Sequence, residues 1–407
     1  MEQTNGADST AVLRRPLQAT ENVSGRQGSA SPLLSAPSRS GLTLGTERFF
    51  LAFVPAVLLI GLVVARYAVG KHLGFDYRPL WEASRHVLHG ASPYPSPHAW
   101  ALHDEQQYVY PPIAALLAAP LALFPFGIAA ALLAVLELAA TGLTLRVLEV
   151  RDWRCYGVAL LWYPVIQNVL IGSITSLLAL GLAVAWRYRD ERRPTTIVVA
   201  VLIAAKVFLW PLLFWLAATG RRLAAARALG LALAGVALSW ALIGFAGLTS
   251  YPRLLDELSR LEQWKSYSAV ALGLVLGLST GEARVLAIIA GTVALVGILL
   301  IGRRRVRDAD ADQHAFVLAI AAAFLFSPIV WTHYLALLVV PIAISRRTLS
   351  PLWFVPLAMW ATPGQSNGQT WRVLLGFGVW VVVLAGSSRR TWSLPVFRRR
   401  PEPLPTS

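Results

Sequence analysis

The sequence holds a single cysteine, Cys155, only three lysines (Lys71, Lys206 and Lys265), and few charges of either sign, at 14% of its 407 positions. One cysteine excludes an intramolecular disulfide, so no part of the fold depends on an oxidising compartment. So little charge, beside 56% hydrophobic residues and a mean hydropathy of +0.58, excludes an ordinary soluble globular domain. No segment recurs at a fixed period, which excludes a solenoid or propeller. What is present is a succession of apolar runs, and they imply a polytopic, all-α membrane protein.

The formal charge of +15 could suggest a nucleic-acid partner, but the positions of the basic residues exclude that need. Arginines before residue 49, at 146–154, 187–193, 221–227, 303–307 and 346–347, and after 388 make up 26 of the 36 lysines and arginines. All of them fall at the ends of apolar runs or in the terminal tails, the positive-inside pattern, and basic clusters there attract anionic membrane lipids. Alternating these clusters with the apolar runs gives crossings near 49–69, 127–148, 155–171, 173–187, 195–206, 207–219, 228–246, 283–301, 314–327, 334–345, 351–363 and 371–387. That is about twelve spans with both termini cytoplasmic. Several runs are short or contain proline, so some helices must be broken or sunk in protein. Segments 112–125 and 268–278 read as half-helices on the outer side. Residues 1–44, rich in Ser, Gly, Thr and Pro, read as a disordered cytoplasmic tail without the apolar core of a cleaved leader, 45–388 as one membrane domain, and 389–407 as a basic cytoplasmic tail.

This ladder sends 70–111, the turn at 167–172, the region of Lys206, and the stretches 247–282, 327–333 and 364–370 to the non-cytoplasmic side. The first of these contains FDYRPLWEASRHVLHG, residues 75–90. Pro79 suits the first turn of a helix and Gly90 its end, with Leu80, Trp81, Ser84, Val87 and Leu88 on one side. The spacing predicts an amphipathic helix lying at the membrane surface, with Arg78, Glu82, Arg85 and His86 around it. Asp76 stands just before it. A carboxylate there suits helix capping, and it equally suits a general base facing a cleft. His86, His89, His98, His103 and Asp104 are metal-ligand types, but they show no zincin spacing, and no metal or other cofactor is expected.

Further along, YVYPP at 108–112 places Tyr108 and Tyr110 in an aromatic belt or in the wall of a cleft. Gln167 and Asn168, followed by Ser173, Thr175 and Ser176, sit at the outer end of two expected spans, and polar residues there commonly hold helices together. Lys206 is a lone ammonium in an apolar run, which costs at least roughly 2.5 kcal/mol at a bilayer centre, so it calls for an anionic partner such as a lipid phosphate or a path to the interface. In SPIVWTHY, residues 327–334, Trp331, His333 and Tyr334 break two apolar runs, and His333 suits phosphate hydrogen bonding, proton transfer or a turn cap.

Taken in order, Asp76 after the first apolar run, HGASPYP, YPP, NVLIGSITSLL, Lys206 before Pro211 and SPIVWTHY resemble glycosyltransferase family 87 over roughly residues 50–387. The family includes polyprenyl-phosphomannose-dependent mannosyltransferases. The resemblance implies a GT-C-type membrane glycosyltransferase that uses a polyprenyl-phosphate sugar donor and a glycolipid or glycan acceptor, inverting the anomeric carbon at the outer face of the cell membrane. Mannose is the first expectation for the sugar and arabinose the second. It further implies Asp76 as general base, with Lys206 and His333 at the donor phosphate or the catalytic pocket. Arg78 and Arg85 supply further cations, and Tyr110, Gln167, Asn168, Trp331 and Tyr334 are the remaining substrate-binding candidates. Inversion puts base and phosphate on opposite faces of the sugar, so Asp76 and Lys206 are expected on separate walls. Members often carry Gly-Gln where this chain has Gly172-Ser173. The competing class is a transporter or flippase of lipid-linked sugars, since broken helices and a buried lysine also mark substrate pathways. Inverted repeats would favour it, and none is evident.

Overall fold

The computed structural model describes residues 53–68, 73–94, 107–303 and 310–388. Both expected tails, 1–44 and 389–407, lie outside the described residues, as do Lys71, His98, His103 and Asp104. Every described residue belongs to the unit Gly45–Ser407.

Among the described residues every regular element is a helix. In chain order they are α1 (Val54–Ala68), α2 (Tyr77–Leu88), α3 (Pro112–Ala122), α4 (Phe126–Val147), α5 (Trp153–Leu160), α6 (Tyr163–Ile171), α7 (Thr175–Arg187), α8 (Arg192–Ala205), α9 (Leu212–Ala218), α10 (Arg222–Leu242), α11 (Tyr251–Glu262), α12 (Ala269–Val275), α13 (Thr280–Gly302), α14 (Ala311–Phe326), α15 (Val339–Ser345) and α16 (Thr370–Ser387). Short 3₁₀ turns occupy Val207–Leu209, Gln263–Lys265, Thr332–Leu338 and Pro351–Ala361.

Four helices, α4, α10, α13 and α16, are long and apolar enough to cross a bilayer alone, and α6 with α7, bent by 118°, makes a fifth if the pair is one span. Side chains such as Val285, Ile289, Val293 and Leu300 stand exposed on α13, as lipid-facing residues do. The other apolar runs form shorter helices broken at polar or proline positions. Lys206 ends α8, and Pro211 opens α9. A proline lacks the N–H an uninterrupted helix needs, so this break follows from sequence.

Helix α2 buries Tyr77, Leu80, Ala83, Ser84 and Val87 and ends before Gly90, whose φ of +69° turns the chain away. Leu88, expected on the buried side, is exposed, and Trp81 is half-buried. At about 100° per residue Leu88 lies only about 40° beyond Ser84, at the edge of the buried stripe, and it is the last residue of the helix. The inner face of α2 joins Tyr94, Tyr108, Trp240 and Leu254 in one apolar cluster beneath the segment 107–111.

The two ends of the helices differ in chemistry. At one end Glu149 meets Arg187 at 3.4 Å and Arg347 at 2.8 Å, and buried Asp312 accepts from Arg189 at 3.1 Å, Arg221 at 2.7 Å and the Trp215 indole at 2.8 Å. Glu149 and the four arginines come from stretches the basic pattern assigns to a common side. At the other end the remaining polar stretches surround a cavity.

Candidate active site

The cavity encloses about 180 Å³. Its walls come from Asp76 at the start of α2, from Gln107 and Tyr110, from Gln167 on α6, from Glu262 at the end of α11, from Trp331, Thr332 and His333, and from Gln365. Residues nearly 300 positions apart thus share one small space, and each segment is held there by identifiable bonds.

The segment 107–111 is fastened by tyrosine hydroxyls. Tyr94 donates to the Tyr110 carbonyl at 2.7 Å, Tyr251 donates to the Val109 carbonyl at 3.0 Å, and Tyr108 donates to the Pro111 carbonyl while accepting from the Ala115 N–H. Tyr108 is therefore a buried anchor and not part of an exposed belt, whereas Tyr110 lines the cavity. Pro111 and Pro112 leave this stretch extended and short of backbone donors, and the hydroxyls satisfy the carbonyls that remain.

Asp76 is held by its backbone. Its N–H donates to the Ile171 carbonyl at 2.9 Å, and Gly74 N–H donates to the Leu170 carbonyl at 3.0 Å. This joins the turn before α2 to the end of α6. Gly172 ends α6 at φ +70°, and a Cβ there would lie 2.8 Å from the Tyr77 Cβ and 3.1 Å from the Gly74 Cα. Behind the turn, buried Glu137 on α4 accepts from the Asn168 amide and from the Ser176 N–H, and Asn168 also donates to the Ser176 hydroxyl at 2.9 Å. These bonds secure the bend between α6 and α7. Gly172→Ala is accordingly expected to destabilise the protein by about 1–3 kcal/mol through the left-handed backbone alone. Because the crowded neighbours carry Asp76, it should also slow turnover by up to about a hundredfold. Thermal melting in lipid beside a turnover assay checks both, and unchanged turnover would refute the positioning role of this turn.

The Asp76 side chain makes no capping hydrogen bond to α2 and keeps 34% of its surface open. The capping alternative is thereby set aside. Its Oδ2 stands 4.0 Å from His333 Nε2. That is too long for a direct hydrogen bond, and short enough for one hydroxyl oxygen to reach both groups. Burial raises the Asp76 pKa to about 6; the Lys206 ammonium opposes the rise, and the Glu262 carboxylate adds to it.

Lys206 is buried just behind this wall. Its Nζ has no hydrogen-bond partner among the described residues. It lies 3.8 Å from the centre of the Tyr334 ring and 5.5 Å from that of Tyr110, and it is within electrostatic reach of Asp76 and Glu137. Cation–π contact recovers roughly 2 kcal/mol in a desolvated setting, against a burial penalty of several kcal/mol for an ion. The ammonium is therefore undercompensated as it stands. Three more polar atoms of cavity-lining residues, Gln107 Nε2, Gln167 Oε1 and Trp331 Nε1, are buried without a partner among the described residues. Leaving such groups unpaired costs about 1–3 kcal/mol each, which a polar ligand would recover.

Of the sequence candidates, Asp76, Tyr110, Gln167, Trp331 and His333 line the cavity, with Lys206 and Tyr334 packed behind it. Arg78, Arg85 and Asn168 do not. Arg78 lies over the Phe126 ring at 4.1 Å and 3.9 Å from Glu82, Arg85 lies over Trp81, and Asn168 is spent on Glu137 and Ser176. Sequence reasoning missed Glu262, Gln365 and Gln107. The available clue for Glu262 was its place at the end of an amphipathic stretch in a loop assigned to the cavity side. Among the described residues no group of three or more His, Cys, Asp or Glu is arranged to hold a metal ion.

The sequence profile of glycosyltransferase family 87 matches residues 108–328, more than half of the chain. The chain belongs to glycosyltransferase family 87. The matched region takes in Tyr110, Gln167, Lys206 and Glu262 and stops before the Trp331–His333 wall. The chain is also similar to the polyprenol-phosphate-mannose-dependent alpha-(1-2)-phosphatidylinositol pentamannoside mannosyltransferase of Mycolicibacterium smegmatis (strain ATCC 700084 / mc(2)155). The two are 25% identical over 302 residues, 69% of this chain and 67% of the relative. No solved structure matches. Family membership and the apolar helices together make this family 87 protein a multi-pass membrane glycosyltransferase.

Proposed function

We propose that this glycosyltransferase moves a hexose, mannose first, from a polyprenyl-phosphate donor to a hydroxyl of a glycolipid or glycan acceptor at the outer face of the cell membrane. Its about twelve crossings leave both termini cytoplasmic, in keeping with the arginine distribution. The observation that carries this reading is the pairing of an uncapped carboxylate, Asp76, with a buried ammonium, Lys206, that lacks a hydrogen-bond partner among the described residues.

In the reaction Asp76 takes the proton of the acceptor hydroxyl as its oxygen attacks the anomeric carbon. The bond from that carbon to the phosphate oxygen breaks, and polyprenyl phosphate leaves with the electron pair. The developing anion needs fixed positive charge or hydrogen-bond donors in a water-poor site, a role suited to Lys206, while His333, 4.0 Å from Asp76, lies on the base's side and can share the acceptor hydroxyl. Tyr110, Gln167, Trp331 and Tyr334 bound the space between. A neighbouring apolar groove of about 610 Å³, lined by Tyr77, Leu117, Leu133, Leu177, Val201 and Ala205, fits the chemistry of the donor's polyprenyl chain. It includes Tyr77, next in sequence to Asp76, and Ala205, next in sequence to Lys206. The relative's name, with its polyprenol-phosphate-mannose donor and its phosphatidylinositol mannoside acceptor, supports the same substrate classes.

The test is to supply the purified protein, in lipid, with radiolabelled polyprenyl-phosphate mannose and extracted membrane lipids. Label should pass into a glycolipid with the anomeric configuration inverted. Label that crosses the bilayer without bond formation would replace the enzyme by a flippase.

A further inference from the structure

The cavity contains a second carboxylate that the reaction above does not use. Glu262 is 3% exposed, at the end of α11, and lines the same space as Asp76. Its Oε1 is 2.9 Å from Lys265 Nζ, and its Oε2 accepts from the Gln365 amide at 3.3 Å. The base beneath it is braced: Ser366 N–H donates to the Lys265 carbonyl at 2.8 Å, and the Ser366 hydroxyl donates to the Trp264 carbonyl at 3.3 Å. A buried carboxylate fixed in this way is expensive to maintain unless its remaining lone pairs are used.

The chemistry of this wall limits what can bind there. Among the described residues that line the cavity, this wall presents a carboxylate and amides; Lys265 is paired with Glu262, and the Arg372 guanidinium donates to the Gln365 carbonyl from outside the lining, so Glu262 faces the ligand and disfavours a phosphate here. A carboxylate beside the Gln365 amide, with the unpartnered Gln107 amide in the same cavity, suits a neutral ligand rich in hydroxyls. The donor phosphate belongs at the opposite chemistry, toward the Lys206 ammonium. A base alone grips one hydroxyl and cannot choose among the several hydroxyls of a sugar ring. A second fixed point can, because two anchors set the ring's orientation.

We infer that Glu262 and Gln365 form a clamp for the acceptor's sugar ring and determine which acceptor hydroxyl is presented to Asp76. The inference rests on the transfer reaction proposed above. It also makes Glu262 an electrostatic neighbour of the base. The groups facing Asp76 are His333, Lys206, Tyr110, Tyr334 and Glu262, and among them it is the Glu262 carboxylate that raises the Asp76 pKa.

Glu262→Gln and Gln365→Leu, in lipid nanodiscs, are to be compared with wild type using radiolabelled polyprenyl-phosphate mannose and octyl α-mannoside as acceptor. Each variant should raise the acceptor KM by about tenfold or more, the size of one lost hydrogen bond to a charged group, and leave the donor KM unchanged. Linkage analysis of the product should turn from one regioisomer to a mixture. In Glu262→Gln the acid limb of the pH profile should also move to lower pH, a change that a merely structural residue would not produce. Gln365→Leu keeps the test decisive if Glu262→Gln does not fold. Unchanged acceptor KM and product linkage overturn the clamp, and so does a rise confined to the donor KM. Failure of the underlying reading looks different: wild type transfers nothing, or Asp76→Asn transfers as well as wild type, and the clamp then falls with it.

Discussion

Asp76→Asn should leave a folded protein whose transfer rate is about 100 to 10,000 times below that of wild type, the usual contribution of a well-placed general base. The substitution keeps the shape of the side chain and removes its ability to accept a proton. It costs the fold little, because the carboxylate makes no capping bond and the turn is held by backbone bonds to Leu170 and Ile171. The same residue sets the pH dependence. Its pKa is raised to about 6, by burial above all. Only the ionised form can act as base, so activity should be full well above pH 6 and fall about tenfold per unit below it. In Asp76→Asn the residual rate should show no such limb. Initial rates from pH 4.5 to 8 check both outcomes, and a mutant as fast as wild type at pH 7.5 would remove Asp76 as base.

The positions that sequence placed well are those whose reason is local or topological. Arginine distribution sorts the loops onto two sides, and five of the stretches so sorted supply the cavity walls while a sixth, at Lys206, lies directly behind. Gly90 and Pro79 bracket α2 because φ at each is a property of the residue itself. What stayed hidden depends on where a side chain points in three dimensions. Arg78 and Arg85 sit on the helix that carries the site, but their headgroups spend themselves on Phe126 and Trp81. Glu262 carries no motif of its own in sequence, and in the fold it meets Gln365, about a hundred positions away, while the neighbouring Trp264 carbonyl accepts from Ser366. Glu137 sat inside a 22-residue apolar helix, and its partners, Asn168 and Ser176, are more than 30 residues away. No period in a sequence reports such a pairing.

Lys206→Met separates function from stability most sharply. The substitution exchanges a buried ammonium, without a hydrogen-bond partner among the described residues, for an apolar side chain of similar length. Replacing an undercompensated buried charge by a well-packed apolar group is often neutral or stabilising, so the melting temperature in lipid should hold or rise. Turnover should fall by about 100- to 1,000-fold, the loss seen when one fixed stabiliser of a developing anion is removed. Lys206→Arg should not restore it, because the planar guanidinium cannot occupy the space between the Tyr110 and Tyr334 rings as a compact ammonium does. A coupled effect identifies the mechanism. Lys206 opposes the rise in the Asp76 pKa, so its removal should move the acid limb of the pH profile upward, opposite to the shift expected for Glu262→Gln. A lowered melting temperature with unchanged turnover would make Lys206 a structural residue. Lost turnover with an unmoved acid limb would mean that the lysine and the base do not share one electrostatic site, and the proposed displacement would lose its geometry.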